Sequence, residues 1–324
     1  MRCRCTRIRT GQRHRPAAPA TEGYHCRVPP PAISGIFVYP IKSCRAVAVE
    51  SATVSAIGLA GDRLWQVVDG DQRGLTQRQH RVLATVQPEL LDGGGLRLEA
   101  GGMSPIVVDP PGEQTTVVQS HFRVPVPAAD AGEQAATWFS ELTGERCRLV
   151  AMIGACGWRL PDDLDVFEQN APFTDAAPLL LTARASLEWL RQRAGEEFDM
   201  DRFRPNLVVS GTDAWEEDTW STIRVGTAEL RCVVPWPRCT IPQIDQVTAD
   251  RRTEPAKVLR RHRWCTAAPS VRPAFRSIVE GNGIFGIGCS IGPEHATIRI
   301  GDEVTVTATA PSMMAAQPNS DESG

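Results

Sequence analysis

Lysine is nearly absent from this 324-residue chain: Lys42 and Lys257 are the only two among 35 Lys and Arg residues. The bias reads as a compositional preference for arginine, and it singles out each lysine. Several functional frames are missing too. No C-x-x-C occurs, and the ten cysteines are too dispersed for a compact disulfide scaffold, so a reducing compartment is expected. Cys232 and Cys239 have no second pair or nearby histidine, which argues against structural zinc. The six histidines fall in no H-E-x-x-H frame, so hydrolysis at a His-held metal lacks support. G-x-x-x-x-G-K-[ST] is absent, and G-N-G-I-F-G at 281–286 has the wrong spacing for a dinucleotide loop. No apolar run reaches the ~20 residues that span a bilayer, and no charged start leads into an apolar core. Neither a membrane span nor secretion is indicated, and a cytoplasmic location is expected.

Charge is unevenly spread. Residues 1–27 hold seven arginines against Glu22 alone, so the chain's net −3 leaves the remainder at −9. An acidic body argues against a nucleic-acid partner, whose footprint would be a basic face. Residues 1–31 are Arg- and Pro-rich without an apolar period, and are expected to be a disordered extension or a start placed too early. Their Arg-rich, acid-poor character suits an organelle-targeting peptide, but they lack a clear amphipathic helix.

From Ile33 onward, short β-branched segments alternate with Gly, Pro and Asp. Strands are expected at 36–39, 63–68, 82–86, 96–100, 106–108 and 115–119, the spacing of an antiparallel sheet or small barrel. A helix follows from Ala131 to Gly144, then a strand at 147–151. The second half opens with the apolar run 179–182 and a helix over 183–194, with an Arg184–Glu188 pair. Strands are expected at 206–210, 222–225, 229–234, 285–289, 296–300 and 304–308, with a helix over 254–262. The fold class is β-rich α+β, divided into residues 32–160 and 161–309, with a disordered tail at 310–324.

Four spots could carry chemistry. Lys42-Ser43-Cys44-Arg45 ends a strand and could cradle an anion. Gly61-Asp62-Arg63 puts a charged pair beside Trp65. Arg202-Phe203-Arg204-Pro205-Asn206 heads a core strand with polar groups. In V-V-P-W-P-R-C-T-I-P, from 233 to 242, three prolines predict an ordered loop that presents Cys239 rather than packing it, and the adjacent Arg238 favours a thiolate.

These spots fall within eight ordered segments: Y-P-I-K-S-C-R (39–45), G-L-A-G-D-R-L-W (58–65), L-T-Q-R-Q (75–79), F-T-D-A-A-P-L-L-L-T (173–182), R-F-R-P-N-L-V-V-S-G (202–211), E-E-D-T-W (216–220), P-R-C-T-I (237–241) and I-R-I-G-D-E-V (298–304). Together they resemble MOSC-domain proteins, in particular the mitochondrial amidoxime reducing components and their bacterial counterparts. The resemblance implies a MOSC N-terminal β-barrel domain followed by a MOSC β-barrel domain with flanking helices.

It also implies a molybdenum cofactor, Mo-molybdopterin, with Cys239 as the protein ligand to the metal and as a catalytic residue. Lys42, Ser43, Arg63, Arg204 and Asn206 match positions that hold the pterin and its phosphate. Asp175 matches an acidic position near the site, taken here as a catalytic proton relay. Ala176, Ala177, Pro237 and Arg238 match further cofactor contacts; hydroxyl residues are common at 176 and 177. The implied reaction reduces N-hydroxylated small molecules, with electrons from an external cytochrome b5-like, ferredoxin or flavin reductase partner. A carrier of sulfur, as a Cys239 persulfide, or of the cofactor is the alternative, although the pyridoxal-phosphate lyase half of cofactor sulfurases is missing here.

Overall fold

A computed structural model describes residues 29–112, 115–154, 157–269, 271, 273–292 and 296–314. The expectations of disorder for 1–28 and 315–324 lie outside the described residues.

The first half contains β1 (Ala32–Val38), β2 (Val47–Ala48), β3 (Ser51–Ser55), β4 (Gly58–Leu59), β5 (Trp65–Val68), β6 (Gln87–Leu90), β7 (Leu96–Glu99), β8 (Ile106–Val108), β9 (Thr115–Gln119), β10 (Pro125–Asp130), helix α1 (Glu133–Thr143) and β11 (Arg148–Met152). The second contains β12 (Leu179–Ala183), α2 (Arg184–Ala194), β13 (Leu207–Ser210), β14 (Trp220–Val225), β15 (Ala228–Pro237), α3 (Ala256–His262), α4 (Pro273–Val279), β16 (Ile284–Ile291), β17 (Ala296–Arg299) and β18 (Val304–Thr309).

An eight-stranded sheet runs β18-β14-β15-β16-β12-β13-β1-β2, so strands from both ends of the chain share it. β1 pairs antiparallel with β13, Ile36 opposite Leu207, and β3 pairs with β17, Val54 opposite Ala296. The first strands therefore complete the sheets of the second half, and the chain reaches the four-stranded sheet β5-β11-β10-β9 only after Gly61. β12 and β13 pair in parallel, joined by the crossover helix α2.

Local chemistry sets the helices. α1 buries Trp138 and Phe139 and stops at Gly144, whose φ of 71° lets its N–H bond the Ser140 carbonyl. α2 buries Leu187 and Leu190 and ends the same way at Gly195. Its ion pair differs from expectation: Glu188 meets Arg191 at 3.0 Å. α4 was not anticipated from the sequence; it buries Phe275 and Val279.

Two further departures have a physical reason. Residues 81–85 form a 3-10 turn in place of a strand: the Leu83 N–H bonds the His80 carbonyl at 3.1 Å and the Val86 N–H the Leu83 carbonyl at 3.3 Å, so the backbone is satisfied locally instead of in a ladder. Pro235 and Pro237, expected in a loop, lie inside β15. Beyond Arg231, β15 has left its partner β14 and pairs only with β16, through two bulges, so a residue lacking an N–H is tolerated there. β10 holds Pro125 and Pro127 by the same device, since its pairing with β11 begins only at Ala128. At the C-terminal end, residues 311–314 were expected to carry no order, yet Ala268 donates to the Met313 carbonyl at 3.0 Å and Met313 and Met314 pack on the core.

Candidate active site

β1 ends at Val38, and the chain turns through Tyr39-Pro40 to deliver Lys42 and Ser43. Tyr39 is buried, and two guanidinium groups stand over its ring, Arg63 at 4.4 Å and Arg204 at 4.3 Å from the centroid. Burial pushes its phenol above the ordinary value, so the ring enters as a neutral platform. Cys44 faces away into the core, where burial pushes its thiol up to about 12.

Arg63 is held from three sides. Asp62, fully buried beside it, pairs with its Nη1 and accepts the Tyr39 N–H at 2.8 Å. Asn206 Oδ1 accepts from the same Nη1 at 3.1 Å, and the Arg204 carbonyl accepts from Nη2 at 3.1 Å. The Asn206 amide also donates to the Phe37 carbonyl and accepts from the Leu180 N–H. Asn206, matched by resemblance to a cofactor contact, thus fixes Arg63 and ties three strands together.

Arg204 donates through Nη1 to the Cys44 carbonyl at 2.7 Å and to Gln246 Oε1 at 3.3 Å. Gln246 and Gln77 exchange amide hydrogen bonds, and Gln77 also donates to the Ser43 carbonyl at 2.7 Å, which pins the Lys42–Ser43 loop. Arg202 points elsewhere, to Asp245 at 2.8 Å, and clamps the chain that follows Cys239. Ser43, Arg63 and Arg204 all sit at positive φ, 69°, 49° and 56°. Such backbone costs on the order of 1–3 kcal/mol per residue and persists only where surroundings enforce it.

Asp175 meets Lys42 Nζ at 2.9 Å and Arg78 Nη1 at 3.8 Å. Burial pushes its carboxyl up, but Lys42, His121 and Arg78 together outweigh that and hold it below the usual carboxylate range. A carboxylate kept ionised in this way orients Lys42 and has no proton to give at neutral pH. His121 is lowered, by burial first.

β15 supplies the remaining wall. Gly288 on β16 leaves room for the Trp236 ring: a Cβ there would stand 2.8 Å from the indole and 3.0 Å from Phe167. Arg238 donates to the Phe203 carbonyl at 2.6 Å, while its Nε and Nη1 are buried without a hydrogen-bond partner among the described residues. Burial lowers its pKa to about 10. Cys239 is exposed, and the Ile241 N–H points at its sulfur at 3.5 Å.

These groups line one cavity of about 440 Å³. Lys42, Ser43, Arg63, Asp175, Ala176, Ala177, Arg204, Asn206, Pro237, Arg238 and Cys239 all contribute to it. Sequence reasoning did not single out Thr174, Arg78 or His121, although Thr174 and Arg78 lie inside quoted segments. The apolar wall of Phe167, Phe173 and Trp236 carried no motif at all.

Five cations and one carboxylate line the cavity, so it suits an anion. Arg204 Nη2, two nitrogens of Arg238 and the Thr174 hydroxyl are buried donors with no hydrogen-bond partner among the described residues. Among the described residues no cluster of three or more His, Cys, Asp or Glu side chains is placed to hold a metal, so a metal at Cys239 would take its other ligands from a cofactor. A phosphorylated, sulfur-bearing heterocycle fits this donor set: cations for phosphate, an apolar wall for the ring and a soft thiolate for the metal.

Comparison with known proteins gives the same order of parts. The MOSC N-terminal beta barrel domain matches residues 31–146 and the MOSC domain residues 168–305. The chain is 33% identical to mitochondrial amidoxime reducing component 2 of Rattus norvegicus over 290 residues, covering 84% of this chain and 82% of that protein. It is 30% identical to mitochondrial amidoxime-reducing component 1 of Homo sapiens over 284 residues, with the same coverage. The molybdenum cofactor sulfurase of Danio rerio is 29% identical over 254 residues, 70% of this chain but 30% of that protein. The names of the amidoxime reducing relatives overturn the expectation of a cytoplasmic protein, since those relatives are called mitochondrial. The chain belongs to the MOSC family and is related to the mitochondrial amidoxime reducing components.

Proposed function

We propose that this protein is a molybdenum-dependent reductase of N-hydroxylated compounds such as amidoximes, hydroxylamines and N-hydroxylated bases. The observation that carries the reading is the convergence, in one cavity, of unpartnered arginine donors at buried positions and the exposed thiol of Cys239. Arg204 and Arg238 would bind the cofactor's phosphate, Tyr39 and Asn206 would hold Arg63 in place, and Cys239 would ligate the metal. When bound, molybdopterin supplies the two-electron chemistry that removes oxygen from nitrogen.

The overall reaction balances as N-hydroxy compound plus two electrons and two protons giving the reduced nitrogen compound and water. Electrons come from an external donor protein of the cytochrome b5-like, ferredoxin or flavin reductase type. Asp175, held ionised, orients Lys42 instead of donating a proton, so protons would enter from water at the open rim beside Cys239. The test is metal and pterin analysis of the purified protein with benzamidoxime reduction from an artificial donor. Wild type should carry both groups and turn over, and Cys239→Ala should lose molybdenum and activity. Full activity in Cys239→Ala would overturn the reading. A second reading, a persulfide or cofactor carrier, draws on the match to the sulfurase; protein free of molybdenum and pterin but bearing a Cys239 persulfide would establish it instead.

A further inference from the structure

The second half of the molecule contains a pair of cysteines that the proposed reaction does not use. Cys232 on β15 and Cys289 on β16 are register partners across an antiparallel ladder, and their sulfurs lie 3.9 Å apart. Opposed residues in such a ladder have Cα atoms about 4.5–5.5 Å apart, within the roughly 4.4–6.8 Å that a disulfide spans. Closing the bridge brings the sulfurs from 3.9 Å to about 2.05 Å. Cys44, Cys147 and Cys265 are buried in other parts of the core. We infer that Cys232 and Cys289 form a reversible oxidation site, a dithiol that closes to a disulfide when it meets hydrogen peroxide.

The two sulfurs are not equivalent. Cys232 lines a second cavity, about 260 Å³, shared with Trp220, Arg231, Pro235, Phe275 and Met313. Cys289 is fully buried behind it and donates its S–H toward the Cys232 sulfur. That hydrogen bond and burial raise the Cys289 pKa, which keeps it a thiol at rest. Cys232 is therefore the sulfur that attacks. It bonds to one peroxide oxygen, the O–O bond breaks, and a sulfenic acid and one water result. The Cys289 sulfur then attacks the Cys232 sulfur, the S–O bond breaks, and a second water leaves with the remaining proton. Two thiols are oxidised and one peroxide is reduced. The product cross-links β15 to β16 on the strand that leads directly to Arg238 and Cys239.

The full-length protein tests this directly. After brief peroxide treatment and alkylation of free thiols, trypsin cuts after Arg231 and Arg238, so Cys232 leaves in peptide 232–238, separate from Cys239, and Cys289 leaves in peptide 277–299. The expected result is one cross-linked species joining these two peptides, lighter than their sum by two hydrogens and lost after dithiothreitol. Cys289→Ser should convert the cross-link into a dimedone-trappable sulfenic acid on Cys232, and Cys232→Ser should leave Cys289 as an alkylatable thiol once unfolded. Recovery of both wild-type cysteines as alkylated thiols, or linkage of Cys232 to any other cysteine, would overturn the inference.

Discussion

Replacing Asp62 or Arg63 singly and then together tests whether the guanidinium beneath the cavity is held by charge. Asp62 is fully buried, and the Arg63 side chain is 10% exposed. Removing one member of a buried pair strands the other, a cost of about 3–5 kcal/mol. The surroundings divide that cost unequally. In Asp62→Ala, Arg63 keeps Asn206 and the Arg204 carbonyl, but the Tyr39 N–H loses its acceptor, so a loss of about 3 kcal/mol is expected. In Arg63→Met, a fully buried carboxylate keeps the Tyr39 N–H as its remaining donor, so the loss should lie nearer 5 kcal/mol. The double variant Asp62→Ala/Arg63→Met buries no stranded charge and should lose only about 1–2 kcal/mol of hydrogen bonding. The assay is urea denaturation of all four proteins at one pH, with pterin content measured in parallel. Additive single effects within about 0.5 kcal/mol, or singles each below about 1 kcal/mol, would refute the account. Pterin content separates structure from function, because the double variant should fold yet retain less cofactor than wild type.

Asp175→Asn should leave the shape of the activity profile between about pH 6 and 8 unchanged, because a carboxyl depressed by Lys42, His121 and Arg78 does not titrate there. Its contribution to stability is present above the ordinary carboxylate pKa and is lost only as pH falls below it, and a lost acid limb in the variant would contradict this. Burial, reinforced by Asp218, pushes the fully buried Glu217 carboxyl from 4.5 up to about 7 against the Ser186 hydroxyl that lowers it. The folded state holds that proton more tightly, so stability is greatest below about pH 4.5 and falls by roughly 3 kcal/mol as pH rises to 7. Glu217→Gln should remove that slope, and a urea-stability difference from wild type that is constant between pH 5 and 8 would refute the assignment. Gly288→Ala should push Trp236 toward the cavity, with about 1–3 kcal/mol of strain and lowered pterin retention; normal retention would show that the ring position is immaterial.

What could be read from the sequence divides along physical lines. Strands at β1, β5, β7 and β12 were legible because β-branched and apolar residues recur between turn formers. β10 and the end of β15 were hidden by their prolines, since whether a strand tolerates Pro depends on whether its second edge is free, and pairing partners far along the chain decide that. The site residues were found as segments, but the partners that hold them were not. Asn206 was found as a cavity residue, but the engagement of its amide with Phe37, Leu180 and Arg63 was not legible. Asp175 stood out as an acidic position, but the two cations beside it, Lys42 and Arg78, come from distant segments of the chain. Single residue types carry chemistry; the partners that fix their ionisation and direction come from elsewhere in the chain.

That dependence accounts for the location of the site. Lys42 and Ser43 follow β1, Arg63 lies where the chain crosses from β4 to β5, Asp175 precedes β12, Arg204 and Asn206 precede β13, and Cys239 follows β15. Each lies in a connection within a few residues of a strand, where the backbone has left the ladder and is free to adopt the positive φ seen at Ser43, Arg63 and Arg204. The sheets that hold these ends need both halves: β1 and β3 come from the first and pair with β13 and β17 of the second. Arg63 then binds the Arg204 carbonyl and Asn206 across that junction. Neither half alone can assemble the cavity, so retention of the cofactor should report on the pairing of β1 with β13 as sensitively as on any residue that touches the ligand.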